Sequence, residues 1–155
     1  MLSRMSIAVV AATSVLVAAP AARADDAAVK QVVVAQEQKI APDNTKMRSA
    51  IRHLTKANAG KARTAISAVT RDISGYRGAL VKVRASTSRV AKGRTALLTA
   101  LREQRDGLRK LSTAIGKYKS GASDASVKRS AASAERKLKK GQKDAARAAK
   151  LLGLT

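Results

Sequence analysis

The 155-residue chain has no cysteine, no tryptophan and no phenylalanine, and it has one histidine and two tyrosines. Each scarcity excludes a class of chemistry. Without cysteine there are no disulfides, iron–sulfur clusters, thiolate zinc sites or cysteine nucleophiles. A single histidine excludes multi-histidine metal sites. Two tyrosines cannot build a platform on which bases stack. The nine glycines stand singly, and none opens a helix after a strand, so there is no phosphate-cradling loop. No Asp-rich loop offers a calcium or magnesium site. No cofactor is expected. Acids are scarce as well: 10 Asp+Glu stand against 32 Lys+Arg, a formal net charge of +22. What is abundant is alanine, with 33 residues.

Residues 1–24 read as a secretory signal peptide. Arg4 supplies the positive start, Ser6 to Ala19 an uncharged, mostly apolar stretch, and Pro20 a helix breaker. Ala22-Arg23-Ala24 has the small-x-small pattern of a cleavage site, with Ala22 and Ala24 as its small residues, and Asp25 follows as a polar start. The apolar run falls short of the roughly 20 residues that a spanning helix needs, and no second such run exists, so no transmembrane segment is expected in the mature chain. Removing Arg4 and Arg23 takes the net charge from +22 to +20 on the remaining 131 residues.

Those 131 residues hold 9 Val, 5 Ile and 11 Leu, a thin supply of large apolar side chains against so much charge. Periodicity argues for order nonetheless. From Val69 to Tyr118 one 3-4 spacing runs through fifteen positions, of which twelve are apolar or Tyr. Met47, Ile51 and Leu54 keep the spacing one step out of phase, which resembles a stutter near Gly60. A third run passes through Val127, Ala131, Ala134, Leu138, Gly141, Ala145, Ala148 and Leu152. Its small residues predict a close approach to another helix.

These patterns predict an all-α fold: an antiparallel bundle of three long helices plus a short N-terminal helix, with coiled-coil-like heptad packing. The short helix falls within residues 25–42 and is stopped at Ala41-Pro42. Residues 43–155 form the basic bundle, with helices at about 44–84, 89–118 and 124–152. Thr87 or Ser88 caps the helix after the first turn, and Ser123 caps the last helix. A continuous helix across residues 84–88 is the competing reading, because the heptad phase does not break there.

The titratable residues carry no catalytic motif. His53 lies beside Arg52 with no acid three or four positions away, and reads as a surface residue. Glu103 and Asp106 are three apart among Arg102, Arg105, Arg109 and Lys110, and read as local ion pairs, with Asp106 to Lys110 in the supportive i,i+4 order. No enzyme is expected. The charge distribution is the distinctive signal. Residues 25–42 carry −1, residues 43–118 carry +14 and residues 119–155 carry +7. On the last helix Arg129, Arg136, Lys143 and Lys150 share one heptad position, flanked by Lys140 and Arg147. These six residues are the candidate polyanion-binding set, since so dense a positive surface attracts polyanions by counterion release.

The signal segment, the Ala/Lys/Arg-rich heptads and the ending Ala145-Ala146-Arg147-Ala148-Ala149-Lys150-Leu151-Leu152-Gly153 together resemble small exported helical proteins of high-GC Gram-positive bacteria. The resemblance implies an exported protein, secreted or held in the cell envelope, and no activity. The expected role is contact with anionic polymers: wall polymer, anionic lipid head groups or nucleic acid. A structural coiled-coil module binding a protein helix is the alternative. A non-specific DNA-binding protein is a further one if residues 1–24 are not a signal. No small-molecule substrate is expected.

Overall fold

A computed structural model of the chain describes residues 24–154. Among them four helices follow one another and no strand occurs: α1 Ala24–Arg52, α2 Ala59–Lys82, α3 Ser88–Lys119 and α4 Asp124–Leu152. At about 1.5 Å per residue the helices are about 36–48 Å long. Each packs antiparallel on the next, with α3 and α4 the most intimate pair. Asp26 at the start of α1 touches Ser86 and Thr87, and Arg89 at the start of α3 touches the end of α4. The first turn of α1, the α2–α3 turn and the end of α4 therefore share one end of the bundle. The all-α bundle read from periodicity is present, with a first helix much longer than expected.

The helix expected to stop at Ala41-Pro42 instead carries Pro42 inside α1 and runs on to Arg52. Proline removes one backbone hydrogen bond, here the one that Gln38 would accept, and crowds that carbonyl. Pro42, Ala41 and Gln38 are all exposed, so water reaches the freed group. Meanwhile Val29, Val33, Ile40, Met47 and Ile51 are all buried, at steps of 4, 7, 7 and 4 that hold one helical phase across the proline. Continuous burial against α2 outweighs the local penalty. The expected helix over 44–84 is correspondingly divided, and its upstream part belongs to α1.

The break lies at residues 53–58, where the phase slip had suggested a stutter. Thr55 and Asn58 exchange bonds: the Thr55 amide donates to Asn58 Oδ1 at 2.7 Å and the Asn58 amide to Thr55 Oγ1 at 3.2 Å. Asn58 Nδ2 also donates to the His53 carbonyl at 2.7 Å, which ties the end of α1 to the start of α2. This is the reciprocal logic of a capping box. The phase shifts because the chain reverses.

The other two connections fall where the sequence suggested. Thr87 precedes α3, and its hydroxyl accepts from the Val90 amide at 3.4 Å. Gly121 and Gly153 close α3 and α4 at φ 74° and 65°, a left-handed conformation that glycine adopts without a Cβ penalty. Arg89 adds a cap from outside, donating to the carbonyls of Leu151 and Lys150 at 3.1 and 3.0 Å.

The small seam on α4 finds its partner within the chain. Ala131, Ala134, Gly141 and Ala148 are buried, and α3 answers with Gly93, Ala100, Gly107 and Ala114, also buried and one heptad apart. A Cβ added at Gly107 would lie 3.1 Å from the Leu138 backbone nitrogen, and one at Gly141 would lie 3.1 Å from the Ala100 carbonyl oxygen. The two backbones touch at these points. Gly75 and Gly78 on α2 have open space around an added Cβ. Two opposite outcomes follow, each readable by thermal or urea unfolding. Gly107→Ala and Gly141→Ala should destabilise the bundle by about 1–3 kcal/mol, through overpacking against backbone. Gly75→Ala and Gly78→Ala should each stabilise it by about 0.5–1 kcal/mol, through helix propensity alone.

Candidate polyanion-binding surface

The described residues hold 30 of the 32 basic residues and all 10 acids. Folding sorts the two signs unequally. Twenty-four of the 30 bases are exposed, but of the acids only Asp25 and Asp124 are. The outer surface is thus more one-sided than the composition.

The acids are drawn inward by specific partners. Asp26 is 4 % exposed. It receives the Ser86 amide at 2.8 Å, the Thr87 amide at 3.2 Å and the Thr87 hydroxyl at 2.7 Å. These bonds, the Thr87 hydroxyl first among them, hold its carboxyl below the ordinary aspartate range despite burial. The carboxylate of the first helix therefore pins the α2–α3 turn. Glu103 is 6 % exposed beneath α4, with Lys137 at 2.7 Å and Lys140 at 3.0 Å. Hydrogen bonds from these two lysines lower its pKa against the opposing effect of burial. Asp72 behaves oppositely: desolvation, then the neighbouring Asp43 across α1–α2, push its carboxyl up.

The acids expected to form local pairs on α3 do so only in part. Asp106 pairs with Arg105 at 3.4 Å and not with Lys110, whose ammonium donates across to Ser133 on α4 at 2.7 Å. Glu103 pairs across the helix interface. The close α3–α4 approach brings α4 side chains nearer than the neighbours along α3. His53 is exposed, in the turn after α1.

All six candidate residues on α4 are exposed. Arg129, Arg136, Lys143 and Lys150 repeat at one heptad, about 10.5 Å along the axis, on the side away from the buried seam. Among the described residues no carboxylate lies within ion-pair distance of these four or of Arg147. Lys140 differs. It bonds Glu103 at 3.0 Å and Asp144 at 3.3 Å, and those bonds raise its pKa. Its charge is met by carboxylates of the protein itself, so it belongs to the α3–α4 clamp more than to the outer stripe. Sequence reasoning missed Lys137 as its companion in that clamp. It also missed the serines of α4 that face α3, although their heptad spacing was visible in Ser126 and Ser133. No helix among the described residues is long and apolar enough to cross a membrane. Comparison of the chain with known protein families, curated proteins and solved structures finds no match.

The buried carboxylates set an acid limit to stability. A depressed folded pKa contributes stability above the unfolded value, near pH 4, that is lost as pH falls through the folded value. Asp26 and Glu103 have this sign, and Asp72 has the reverse. Protonation also raises an already large positive charge. The melting temperature should fall between about pH 5 and pH 2. The fall should be smaller in Asp26→Asn/Glu103→Gln, whose starting value at pH 7 is lower. An unchanged acid dependence in that variant, followed by circular dichroism, would show that the two sites do not set it.

Proposed function

We propose that this is an exported, non-enzymatic helical protein that contacts anionic polymers of the cell envelope or its surroundings. The observation that carries the reading is the sorting of charge: 24 exposed bases against two exposed acids. A charge far above the magnitude of roughly 2–8 that suits the solubility of a small domain costs stability through self-repulsion. A polyanion relieves that repulsion and gains entropy from released counterions. The stripe on α4 is suited to this because it is unpaired, extended and remote from the core. Wall phosphate polymers, anionic lipid head groups and nucleic acid all carry the required charge. The small seam on α4, which had suggested a helical protein partner, is filled by α3.

Export is part of the proposal. Residues 1–23 lie outside the described residues, and Ala24 opens α1. Processing after Ala24 would place a new amino terminus on Asp25, next to Asp26 with its buried carboxylate. The mature protein should begin at Asp25, or follow a cut after Ala21 or Ala22, by N-terminal mass spectrometry of the envelope or secreted fraction. A Met1 terminus on exported protein would overturn this. Full-length cytoplasmic protein would favour the DNA-binding alternative.

The stripe is tested by replacing Arg129, Arg136, Lys143 and Lys150 together with Gln. Helicity should hold, since none of the four is buried. Affinity for teichoic acid, duplex DNA or anionic vesicles should drop. For the duplex, the slope of log affinity against log salt should flatten by up to about 4. Unchanged affinity and slope would make the stripe a solvated face.

A further inference from the structure

We infer that the edge of the α3–α4 interface formed by Lys110, Lys117, Ser126, Ser130 and Ser133 is a phosphate-binding site, the part of this protein that takes up the phosphate groups of a linear phosphate polymer. The inference rests on the polyanion reading above and assigns its selectivity to a different place from the outer stripe of α4.

Glu103, Lys110 and Lys117 lie one heptad apart along one edge of α3. The facing edge of α4 carries Ser126, Ser130, Ser133, Lys137 and Lys140. The chemistry changes along this edge. At Glu103 the charges are matched, by Lys137 and Lys140. Beyond it they are not. Lys110 Nζ donates to Ser133 Oγ at 2.7 Å, and Lys117 Nζ to Ser126 Oγ at 3.1 Å and Ser130 Oγ at 2.9 Å. Among the described residues neither ammonium has a carboxylate within ion-pair distance.

The serine hydroxyls are the second observation. Thr45, Thr64, Thr70, Ser74, Thr95 and Thr113 each spend their hydroxyl hydrogen on the carbonyl four residues earlier in their own helix. Ser126, Ser130 and Ser133 instead accept from a lysine, and none donates its own hydrogen to an acceptor among the described residues. An ammonium has only donors, and a hydroxyl that accepts from it still has one to give. This edge therefore offers two cations and three unspent O–H donors, with no acceptor charge to satisfy them. All three serines and Lys117 are partly buried and solvent-reachable. A ligand that only accepts, carries negative charge and presents several oxygens per centre completes this set. A phosphate group at Lys117, met by one ammonium and two hydroxyls, does so. A second at Lys110 would lie one heptad away, about 10.5 Å along the axis, which calls for a chain of phosphates.

Ser126→Ala/Ser130→Ala/Ser133→Ala tests this without altering net charge, and alanine favours the helix. The full mature chain is titrated by calorimetry with inorganic polyphosphate and, separately, with dextran sulfate at matched charge and salt. The triple variant should bind polyphosphate about tenfold more weakly, whereas Ser49→Ala/Ser67→Ala/Ser88→Ala, at exposed positions elsewhere, should bind it as wild type does. Lys110→Gln/Lys117→Gln should weaken polyphosphate binding more than Lys82→Gln/Lys92→Gln, which removes equal charge from exposed positions elsewhere. The inference is overturned if the α4 serine variant binds polyphosphate like wild type, if the control serine variant loses as much, or if the two lysine pairs are equivalent. Those results leave general polyanion binding standing. Failure of wild type to bind either polymer would overturn the broader reading with it.

Discussion

Between α3 and α4 the backbones meet directly at points where no Cβ fits. Gly107 against the Leu138 amide and Gly141 against the Ala100 carbonyl are the points of closest approach. The rest of the molecule is arranged around that constraint. A helix of modest apolar content, with Leu138 and Leu152 as its largest buried side chains, would not hold its place through hydrocarbon burial alone. Close approach multiplies dispersion contacts along many small residues, each slight and together substantial. It also brings the polar edges of the two helices within reach, so Glu103 meets Lys137 and Lys140, and Lys110 and Lys117 meet serines. The outward direction of the basic stripe follows from the same geometry, because burying the small seam turns the opposite face to solvent.

Charge sorting is the second consequence. The protein has few acids and uses them structurally: Asp26 to pin the α2–α3 turn and Glu103 to clamp α4. Each is nearly enclosed, where its charge does little to soften the outer potential. Such a surface repels itself, and screening by salt or a polyanion relieves the repulsion. A ligand that neutralised the outside would also steady the bundle.

Much of the fold was legible in the sequence, for reasons that can be named. The α2–α3 turn at 83–87 and the linker before Asp124 were visible because hydroxyl and glycine residues interrupt helices by local chemistry. Thr87 as N-cap is such a local effect. Pro42 misled because its cost is also local, whereas the burial of Val29, Val33, Ile40, Met47 and Ile51 that overrides it is spread over the whole helix. The turn at Thr55–Asn58 looked like a stutter because a chain reversal and a phase slip leave the same trace in one dimension. Lys140 seemed part of an outer stripe, since nothing in its own helix shows that Glu103 lies beneath it.

By itself the sequence determined the all-α class, the heptad seams, the small face of α4, the excess of positive charge and the exclusion of thiol and multi-histidine chemistry. These depend on composition and on short-range periodicity, both properties of one chain segment at a time. Only the tertiary structure decided which small face met which, that α1 continued through its proline, and which lysines were neutralised and which were left with hydroxyls alone. Those outcomes depend on distances between residues on different helices, up to 61 positions apart, such as Lys140 to Glu103 and Asp26 to Thr87. Such distances arise from how far one helix sinks against another, and one-dimensional spacing carries no record of it.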